Sequence, residues 1–136
     1  MNLTVISRPE IFGPGLWFTI HTSALHAESE EGKLRFVASM NEWVENMHCQ
    51  HCQKHTREFI LTHPYFMYWE TLDGIPGLFS WSWELHNEVN RFLNKYTPSL
   101  REAYDFWSKT GNVCTDCGSG NELSPTPKTH LVARPH

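Results

Sequence analysis

The sequence predicts an all-α fold in which a four-helix bundle is followed by a short fifth helix. Apolar residues recur at the three- and four-residue spacing of amphipathic helices through most of the chain. Clusters of Gly and Pro divide this pattern into segments of the length that bundle helices have. No segment shows a convincing alternation of apolar and polar residues, as a half-buried strand would, so we expect helices alone.

The first two helices are predicted on either side of a polar break at residues 28–32. A turn at residues 9–15, which contains two Pro and two Gly, leads into the first helix, over about residues 16–27. The second helix covers about residues 34–47. The apolar positions that predict the pair are Leu16, Ile20 and Leu25 in the first helix and Phe36, Val37, Met40 and Val44 in the second.

Three further helices are predicted in the rest of the chain. His63 precedes a Pro, and because such a residue disfavours the α conformation the third helix should end there. From Gly111 the composition turns to Gly, Ser, Thr, Asn and Pro, which predicts one domain at residues 1–110 and a flexible tail at residues 111–136. The predicted bounds of the third, fourth and fifth helices are about residues 49–62, 79–96 and 98–109, with a loop at residues 64–78.

Composition limits the functions that the chain can have. Its 136 residues carry a formal net charge of -4 and no basic run, so nucleic-acid binding has no electrostatic support. No stretch approaches the roughly 20 apolar residues of a membrane span, and no secretory signal pattern is present, so we expect a cytoplasmic protein without membrane insertion. Two C-x-x-C pairs in such a chain favour redox chemistry or metal binding over a secreted disulfide framework.

The predicted fourth helix carries polar residues where a core-facing stripe is expected. His86, Val89, Asn90 and Leu93 share one face at the i, i+3, i+4 and i+7 spacing. An imidazole and a carboxamide on a buried face are costly unless they are hydrogen-bonded. The pattern therefore indicates either polar groups that are satisfied within the protein or a face that binds a polar ligand.

The first cysteine pair, Cys49 and Cys52, stands at the predicted N-terminus of the third helix. Its spacing lets the two sulfurs meet across one turn, and the helix dipole favours a thiolate there. His48, His51 and His55 add positive character. The alternative is a zinc half-site, completed by histidines or by the second pair, in an interaction module without catalytic activity. The two pairs lie much farther apart than the roughly 15–20 residues that separate the pairs of a zinc ribbon.

The second cysteine pair, Cys114 and Cys117, lies in the predicted tail between Gly-containing segments. A dithiol on a flexible arm can reach an active site and can also meet outside partners, as electron relay by disulfide exchange requires. We therefore interpret this pair as a shuttle. The alternative is a pair of structural or spare thiols.

Four motifs, taken in order over about residues 12–107, resemble those of the Erv/ALR family of FAD-linked sulfhydryl oxidases. They are Gly13-x-x-x-Trp17-x-x-x-His21, Cys49-x-x-Cys52, Trp81 placed five residues before His86, and His86-Asn87-x-Val89-Asn90-x-x-Leu93-x-Lys95. The resemblance implies that FAD lies in the mouth of the bundle, with the fifth helix and its Tyr104 or Trp107 over the adenine. The residues that it implies for cofactor contacts are Gly13, Trp17, His21, Trp81, His86, Asn87, Val89, Asn90, Leu93, Lys95 and Trp107.

The resemblance also implies an electron path with Cys49 and Cys52 as the catalytic residues. Electrons enter from a dithiol protein or a thioredoxin-like carrier, through the Cys114–Cys117 disulfide, at the more exposed Cys49. Cys52, nearer the flavin, donates them to the ring, and molecular oxygen accepts them to give hydrogen peroxide. We expect no metal and, from the family, a homodimer formed through the first two helices.

The sequence departs from cellular members of the family at three places. Pro14 stands where they often carry Arg, Met47-His48 replaces an aromatic-Pro pair, and Trp83 occupies the position of an extra structural Cys. This compact form with two cysteine pairs looks more like the oxidases of large DNA viruses. For such a protein the host cytoplasm is the expected location, with association with the virion left open.

Overall fold

The computed structural model describes residues 9–113 and the side chains of residues 13–109. Within that range the structure is helical, and its one pairing of extended residues is an isolated bridge between Leu72 and Ile75. The α-helices are α1 (Pro9–Leu25), α2 (Glu30–Glu45), α3 (Gln50–Thr62), α4 (Gly77–Phe92) and α5 (Leu100–Val113), and a 3₁₀ helix spans Tyr65–Tyr68. The all-α fold predicted from the sequence is confirmed.

The helix α1 packs against α2, α4 and α5, while α3 packs on α2 and the 3₁₀ helix packs on α4. Apolar side chains of all five α-helices share one core, since each helix places a three- and four-residue stripe against its neighbours. Its buried members in the helices are Ile20, Ala24, Phe36, Met40, Val44, Phe59, Leu78, Phe79, Trp81, Leu85, Ala103 and Trp107. None of the helices in residues 9–113 has the length and apolar character needed to cross a bilayer.

The first two helices begin earlier than predicted. Residues 9–15 are helical rather than a turn: Pro9 occupies the first turn, where its missing N–H breaks no bond, and Pro14 lies inside the helix. The polar break predicted at residues 28–32 contains the start of α2. There the Ser29 hydroxyl accepts a hydrogen bond from a first-turn N–H at 2.9 Å and caps the helix.

The helix α4 ends earlier than predicted because of a Schellman motif. Asn94 adopts a left-handed conformation, with φ of 61°. Its N–H donates to the Arg91 carbonyl at 3.1 Å, and the Lys95 N–H donates to the Asn90 carbonyl at 2.7 Å. Asn is one of the few residues that accept this conformation after a helix. The prediction that Leu93 continues the helical stripe is therefore wrong, since it is the C-cap and is 44% exposed.

The helix α5 begins with a reciprocal pair of hydrogen bonds. The Ser99 hydroxyl accepts the Glu102 N–H at 3.1 Å, and the Glu102 carboxylate accepts the Ser99 N–H at 2.9 Å. This capping box satisfies two backbone donors that the first turn cannot pair. The helix continues to Val113, beyond the predicted end near Lys109, so that Gly111 lies within its last turn.

The segment between α3 and α4 approaches α4 closely at Gly77. A Cβ added to Gly77 would lie 2.0 Å from the carbonyl oxygen of Tyr68 and 2.6 Å from that of Glu70. Only a residue without a side chain fits there. The loop predicted at residues 64–78 thus contains a 3₁₀ helix that is held against the start of α4, the helix that carries the buried polar residues.

Candidate functional site

A buried hydrogen-bonded chain joins α1 to α4. His21 Nδ1 lies 2.9 Å from Ser82 Oγ, and His21 Nε2 lies 2.8 Å from His86 Nδ1. The Ser82 hydroxyl donates its proton to the Phe79 carbonyl at 2.7 Å, so it accepts from His21 Nδ1–H. The neutral His21 then accepts at Nε2 from His86 Nδ1–H, which leaves a neutral His86 with its acceptor at Nε2. The protein thus selects one tautomer of each ring.

Aromatic side chains from two other positions enclose this histidine pair. Trp17, one turn before His21, stacks on His86 with ring centroids 3.8 Å apart and planes 4° apart. Trp107 of α5 lies 4.7 Å from His21 between ring centroids and is itself packed edge-on against Phe18 at 6.2 Å. Three helices therefore converge on one set of flat, polarisable rings.

Two buried carboxamides continue the polar surface along α4. The Asn87 Nδ2 donates to the Pro98 carbonyl at 2.9 Å, which ties α4 to the segment that starts α5. The Asn90 Nδ2 donates to Asn87 Oδ1 at 3.3 Å. Asn90 is 2% exposed and His86 is 4% exposed. The unusual polar stripe of the sequence is therefore buried, and part of it is satisfied within the protein.

Of the residues that the sequence predicts for the cofactor, the structure brings six together and places the others apart. Those in the converging cluster are Trp17, His21, His86, Asn87, Asn90 and Trp107. Val89 is half-buried on α4, Leu93 and Lys95 are exposed beyond its last turn, and a Cβ added at Gly13 would meet nothing within 4 Å. Cofactor contacts at all eleven positions, including the six in the cluster, stay predictions.

Trp81 lies in the apolar core and is fully buried. Its ring packs against Phe36, Phe59 and Tyr65, with centroids 6.1, 5.5 and 4.7 Å away, and its Nε1 donates to the His63 carbonyl at 2.9 Å. Trp81 therefore joins α4 to α2, to α3 and to the 3₁₀ helix. A contact of Trp81 with the cofactor or the disulfide stays a prediction.

Cys49 and Cys52 form a disulfide at the N-terminus of α3. Cys49 is the N-cap residue, and its Sγ accepts the Cys52 N–H at 3.1 Å. Both cysteines are half-buried, so a thiol can reach them from solvent. The second pair, Cys114 and Cys117, lies outside the described residues.

A cluster of three rings connects the disulfide-bearing end of α3 to the end of α4. His51 and His55 have ring centroids 5.0 Å apart, and they lie 5.5 and 5.3 Å from the ring of Phe92. The rise from His86 to Phe92 along α4 is about 9 Å. The first turns of α3 therefore contact the last residue of the helix that carries His86.

Sequence reasoning missed two positions of this region, Ser82 and Phe92. Ser82 orients His21 and stands one turn before His86, so the i, i+4 spacing along α4 could have indicated it. Phe92 is 61% exposed and contacts α3, which no local pattern indicates. Among residues 9–113, no three His, Cys, Asp or Glu side chains are placed to hold a metal ion.

A second, half-buried network supports α4 on the opposite side from the histidine pair. The Tyr68 hydroxyl donates to Glu84 at 2.9 Å, and His63 Nε2 lies 3.6 Å from the same carboxylate. Burial, followed by the hydrogen bond and the charge of Glu84, raises the pKa of Tyr68 to about 12. Burial also raises the pKa of Tyr65. These tyrosines are neutral and structural at physiological pH.

Comparison with known proteins connects the sequence to one family. The sequence profile of the Erv1 / Alr family matches residues 14–109. The FAD-linked sulfhydryl oxidase of African swine fever virus (isolate Tick/Malawi/Lil 20-1/1983) is 26% identical over 105 residues, which are 75% of this chain and 78% of that protein. The protein named "Putative FAD-linked sulfhydryl oxidase 088R" of Frog virus 3 (isolate Goorha) is 30% identical over 116 residues, 79% of this chain and 75% of its own length. No solved structure matches the chain significantly.

Proposed function

The chain belongs to the Erv1 / Alr family and is a thiol oxidase that uses FAD, and we propose that it forms disulfide bonds in dithiol substrates through Cys49 and Cys52. The observation that carries this proposal is the position of the disulfide. Cys49 caps α3, and the first turns of α3 contact Phe92, the last residue of the helix that carries His86 and Asn90. Molecular oxygen is the proposed final acceptor, with hydrogen peroxide as the product.

The residues of the buried cluster fit FAD by their chemistry. A flavin nucleotide presents a flat ring that stacks, polar ring edges that hydrogen-bond, and phosphates that attract cations. Trp17 and Trp107 would supply flat ring surface for stacking, and His86 and Asn90 would supply polar groups for hydrogen bonds. The exposed ammonium of Lys95 would attract a phosphate. When bound, FAD supplies the two-electron chemistry that links a dithiol to oxygen.

The cysteines carry the exchange with substrate. A substrate thiolate attacks Cys49 Sγ, a mixed disulfide forms, and Cys52 leaves as a thiolate. The second substrate thiol then attacks the substrate sulfur of that mixed disulfide, which releases the oxidised substrate and leaves Cys49 and Cys52 as a dithiol. The Cys52 N–H that points to Cys49 Sγ, together with the α3 dipole, stabilises Cys49 as the leaving thiolate.

Serine substitution of the catalytic cysteines tests this function. Cys49→Ser and Cys52→Ser should each abolish oxygen consumption with a small dithiol but should leave the purified protein yellow, because the buried cluster that would hold FAD is intact. The visible absorption spectrum and an oxygen electrode measure the two properties. The matched control is His26→Ala, an exposed position directly after the end of α1. An active serine variant would refute the electron path, and a colourless parent protein would refute the cofactor.

The role of the second cysteine pair is a separate proposal. If Cys114 and Cys117 relay electrons from protein substrates, the Cys114→Ser/Cys117→Ser variant should oxidise a reduced protein at least tenfold more slowly. Oxidation of a small dithiol, which can reach Cys49 directly, should change less than twofold. Equal slowing of both substrates would argue against a shuttle.

The assembly and location of the protein stay predictions. The cytoplasmic location agrees with the viral origin of the relatives. The homodimer through the first two helices is what the resemblance to the family implies. Leu34 on α2 is 62% exposed in the single chain. Such exposure is expected of an apolar residue that a second copy covers in a dimer. Sedimentation velocity of the parent and of Leu34→Glu tests the dimer, which the substitution should weaken at least tenfold.

A further inference from the structure

Ser82 stands at the start of the buried hydrogen-bonded chain that links α4 to α1. Its side chain is 0% exposed, on a helix whose neighbouring buried positions fill the apolar core. A buried hydroxyl is costly unless it is hydrogen-bonded. Here Ser82 Oγ lies 2.7 Å from the Phe79 carbonyl oxygen and 2.9 Å from His21 Nδ1. These two contacts decide where the protons of the chain lie.

The carbonyl of Phe79 fixes the direction of the whole chain. A carbonyl oxygen can only accept and a serine hydroxyl has one proton, so a lone pair of Ser82 Oγ faces His21. His21 therefore carries its proton on Nδ1 and has a lone pair at Nε2, which lies 2.8 Å from His86 Nδ1. His86 carries its own proton on Nδ1 in turn. A neutral His86 is thus an acceptor at Nε2.

The tautomer of His86 limits the kind of cofactor group that it can bind. Trp17 covers one face of the ring, with centroids 3.8 Å apart, and Nδ1 is bonded to His21. A group that forms a hydrogen bond with Nε2 has to be an N–H or an O–H. FAD has such donors at the flavin imide, the hydroxyl groups and the adenine amine, whereas its phosphates and carbonyl oxygens are acceptors at neutral pH.

We propose that Ser82 is a positioning residue that, through His21, keeps His86 Nε2 as an acceptor and so directs it to a hydrogen-bond donor of FAD. Without the Ser82 hydroxyl, His21 Nδ1–H loses this acceptor in the protein interior. Both rings then exchange tautomers: His21 donates from Nε2 to His86 Nδ1, and His86 carries its proton on Nε2. The role toward FAD rests on the proposed function, in which His86 contacts the cofactor, whereas the choice of tautomer does not.

Imidazole ¹⁵N NMR of the full chain reads the tautomer without any activity measurement. In protein labelled in its histidines, a ring nitrogen that carries a proton is distinguished from one with a lone pair. The signals of His86 are those that are missing from His86→Gln. In the parent protein His86 should be protonated on Nδ1, and in Ser82→Ala it should be protonated on Nε2. Ser82→Ala should also bind FAD at least tenfold more weakly in equilibrium dialysis, because two donors then face each other.

Two further variants separate the hydrogen bond from simple packing. Ser82→Thr retains the hydroxyl, so it should keep the parent tautomer and an FAD affinity within threefold of the parent value, even if its extra methyl group lowers stability. Ser80→Ala, at a half-buried position two residues earlier on α4, should also leave both properties unchanged. Circular dichroism confirms that the variants remain helical. If Ser82→Ala did not fold, the tautomers of the parent protein and of Ser82→Thr would decide the question.

Three results would overturn the proposal. They are a parent protein or a Ser82→Thr protein with His86 protonated on Nε2, a folded Ser82→Ala protein that keeps the parent tautomer, and one that exchanges tautomers but binds FAD as tightly as the parent protein. A parent protein that bound no FAD would instead refute the proposed function. The tautomer of His86, read in the FAD-free chain, would then still decide whether Ser82 sets it.

Discussion

His21 is the residue on which the buried polar chain depends. It is 1% exposed, and both of its ring nitrogens are within 2.9 Å of a polar partner, Ser82 Oγ on one side and His86 Nδ1 on the other. A buried histidine on an otherwise apolar helix face is costly unless its nitrogens are paired. The structure pairs them across a sequence separation of 65 residues, and the pairing sets the tautomer that His86 presents.

We expect His21→Ala to lower the free energy of unfolding by about 3 kcal/mol, because two buried hydrogen bonds and the packing of the ring are lost together. The orientation of His86 would also be lost, so bound FAD should fall at least tenfold. Urea unfolding and the visible spectrum measure the two effects. His26→Ala, at an exposed position directly after the same helix, should change stability by less than about 0.5 kcal/mol. A stable His21→Ala protein with full FAD content would show that the pair has no such role.

At the scale of the element, short-range hydrogen bonds decide where each helix begins and ends. Ser29 caps α2, Ser99 and Glu102 form the capping box of α5, and Asn94 terminates α4. These signals are local and could have been identified in the sequence. The hydrophobic periodicity that predicts the helices does not reveal these capping signals, because capping residues are polar and do not belong to the apolar stripe.

The conformation of Asn94 gives a matched pair of substitutions. Asn94→Ala should lower the free energy of unfolding by about 1 kcal/mol, because a Cβ without a polar partner is strained at positive φ. Asn94→Gly, which has no Cβ, should leave stability unchanged or raise it slightly. Thermal unfolding of the two variants measures the difference. If Ala and Gly proved equally stable, the left-handed turn would not determine the end of α4.

At the scale of the whole molecule, α4 is the element that unites the fold and the site. Its buried Trp81 packs toward α2 and α3, while His86 faces α1. Its last residue, Phe92, reaches the start of α3. A change on either side of α4 therefore affects both the core and the predicted cofactor cluster.

The stability of the protein at alkaline pH should depend on Tyr65 and on the network of Tyr68, Glu84 and His63. The folded protein raises the pKa of Tyr68 from 10.0 to about 12, chiefly by burial and then through Glu84, and burial raises that of Tyr65 as well. A raised pKa of this kind contributes stability that is fully present below pH 10 and is lost as the pH rises toward 12. The free energy of unfolding should therefore fall across that window.

Urea unfolding at a series of pH values measures the slope of the free energy of unfolding against pH. Tyr65→Phe/Tyr68→Phe should flatten it, because neither phenylalanine can ionise. Glu84→Gln should reduce the contribution of Tyr68 to this slope, because it removes the negative charge that opposes ionisation of the Tyr68 hydroxyl. A slope that is unchanged in the double phenylalanine variant would show that other groups control alkaline unfolding.

The sequence by itself determined the helical fold, the position of the C-x-x-C at the start of α3, and the family. These properties depend on periodicity, on spacing within a few residues and on motifs in order, all of which are local in the chain. It also indicated that His86 and Asn90 lie on a buried face, since their spacing continues the apolar stripe.

Only the tertiary structure decided which of these residues meet. That His21 of α1 contacts His86 of α4, that Trp81 fills the core, and that Phe92 touches the two histidines behind the disulfide all depend on how the helices pack. Helix periodicity identifies the buried face of each helix but not the neighbour against which that face packs. The physical reason is that packing is selected by the shapes and polar groups of several faces together, and no single segment of the chain contains that information.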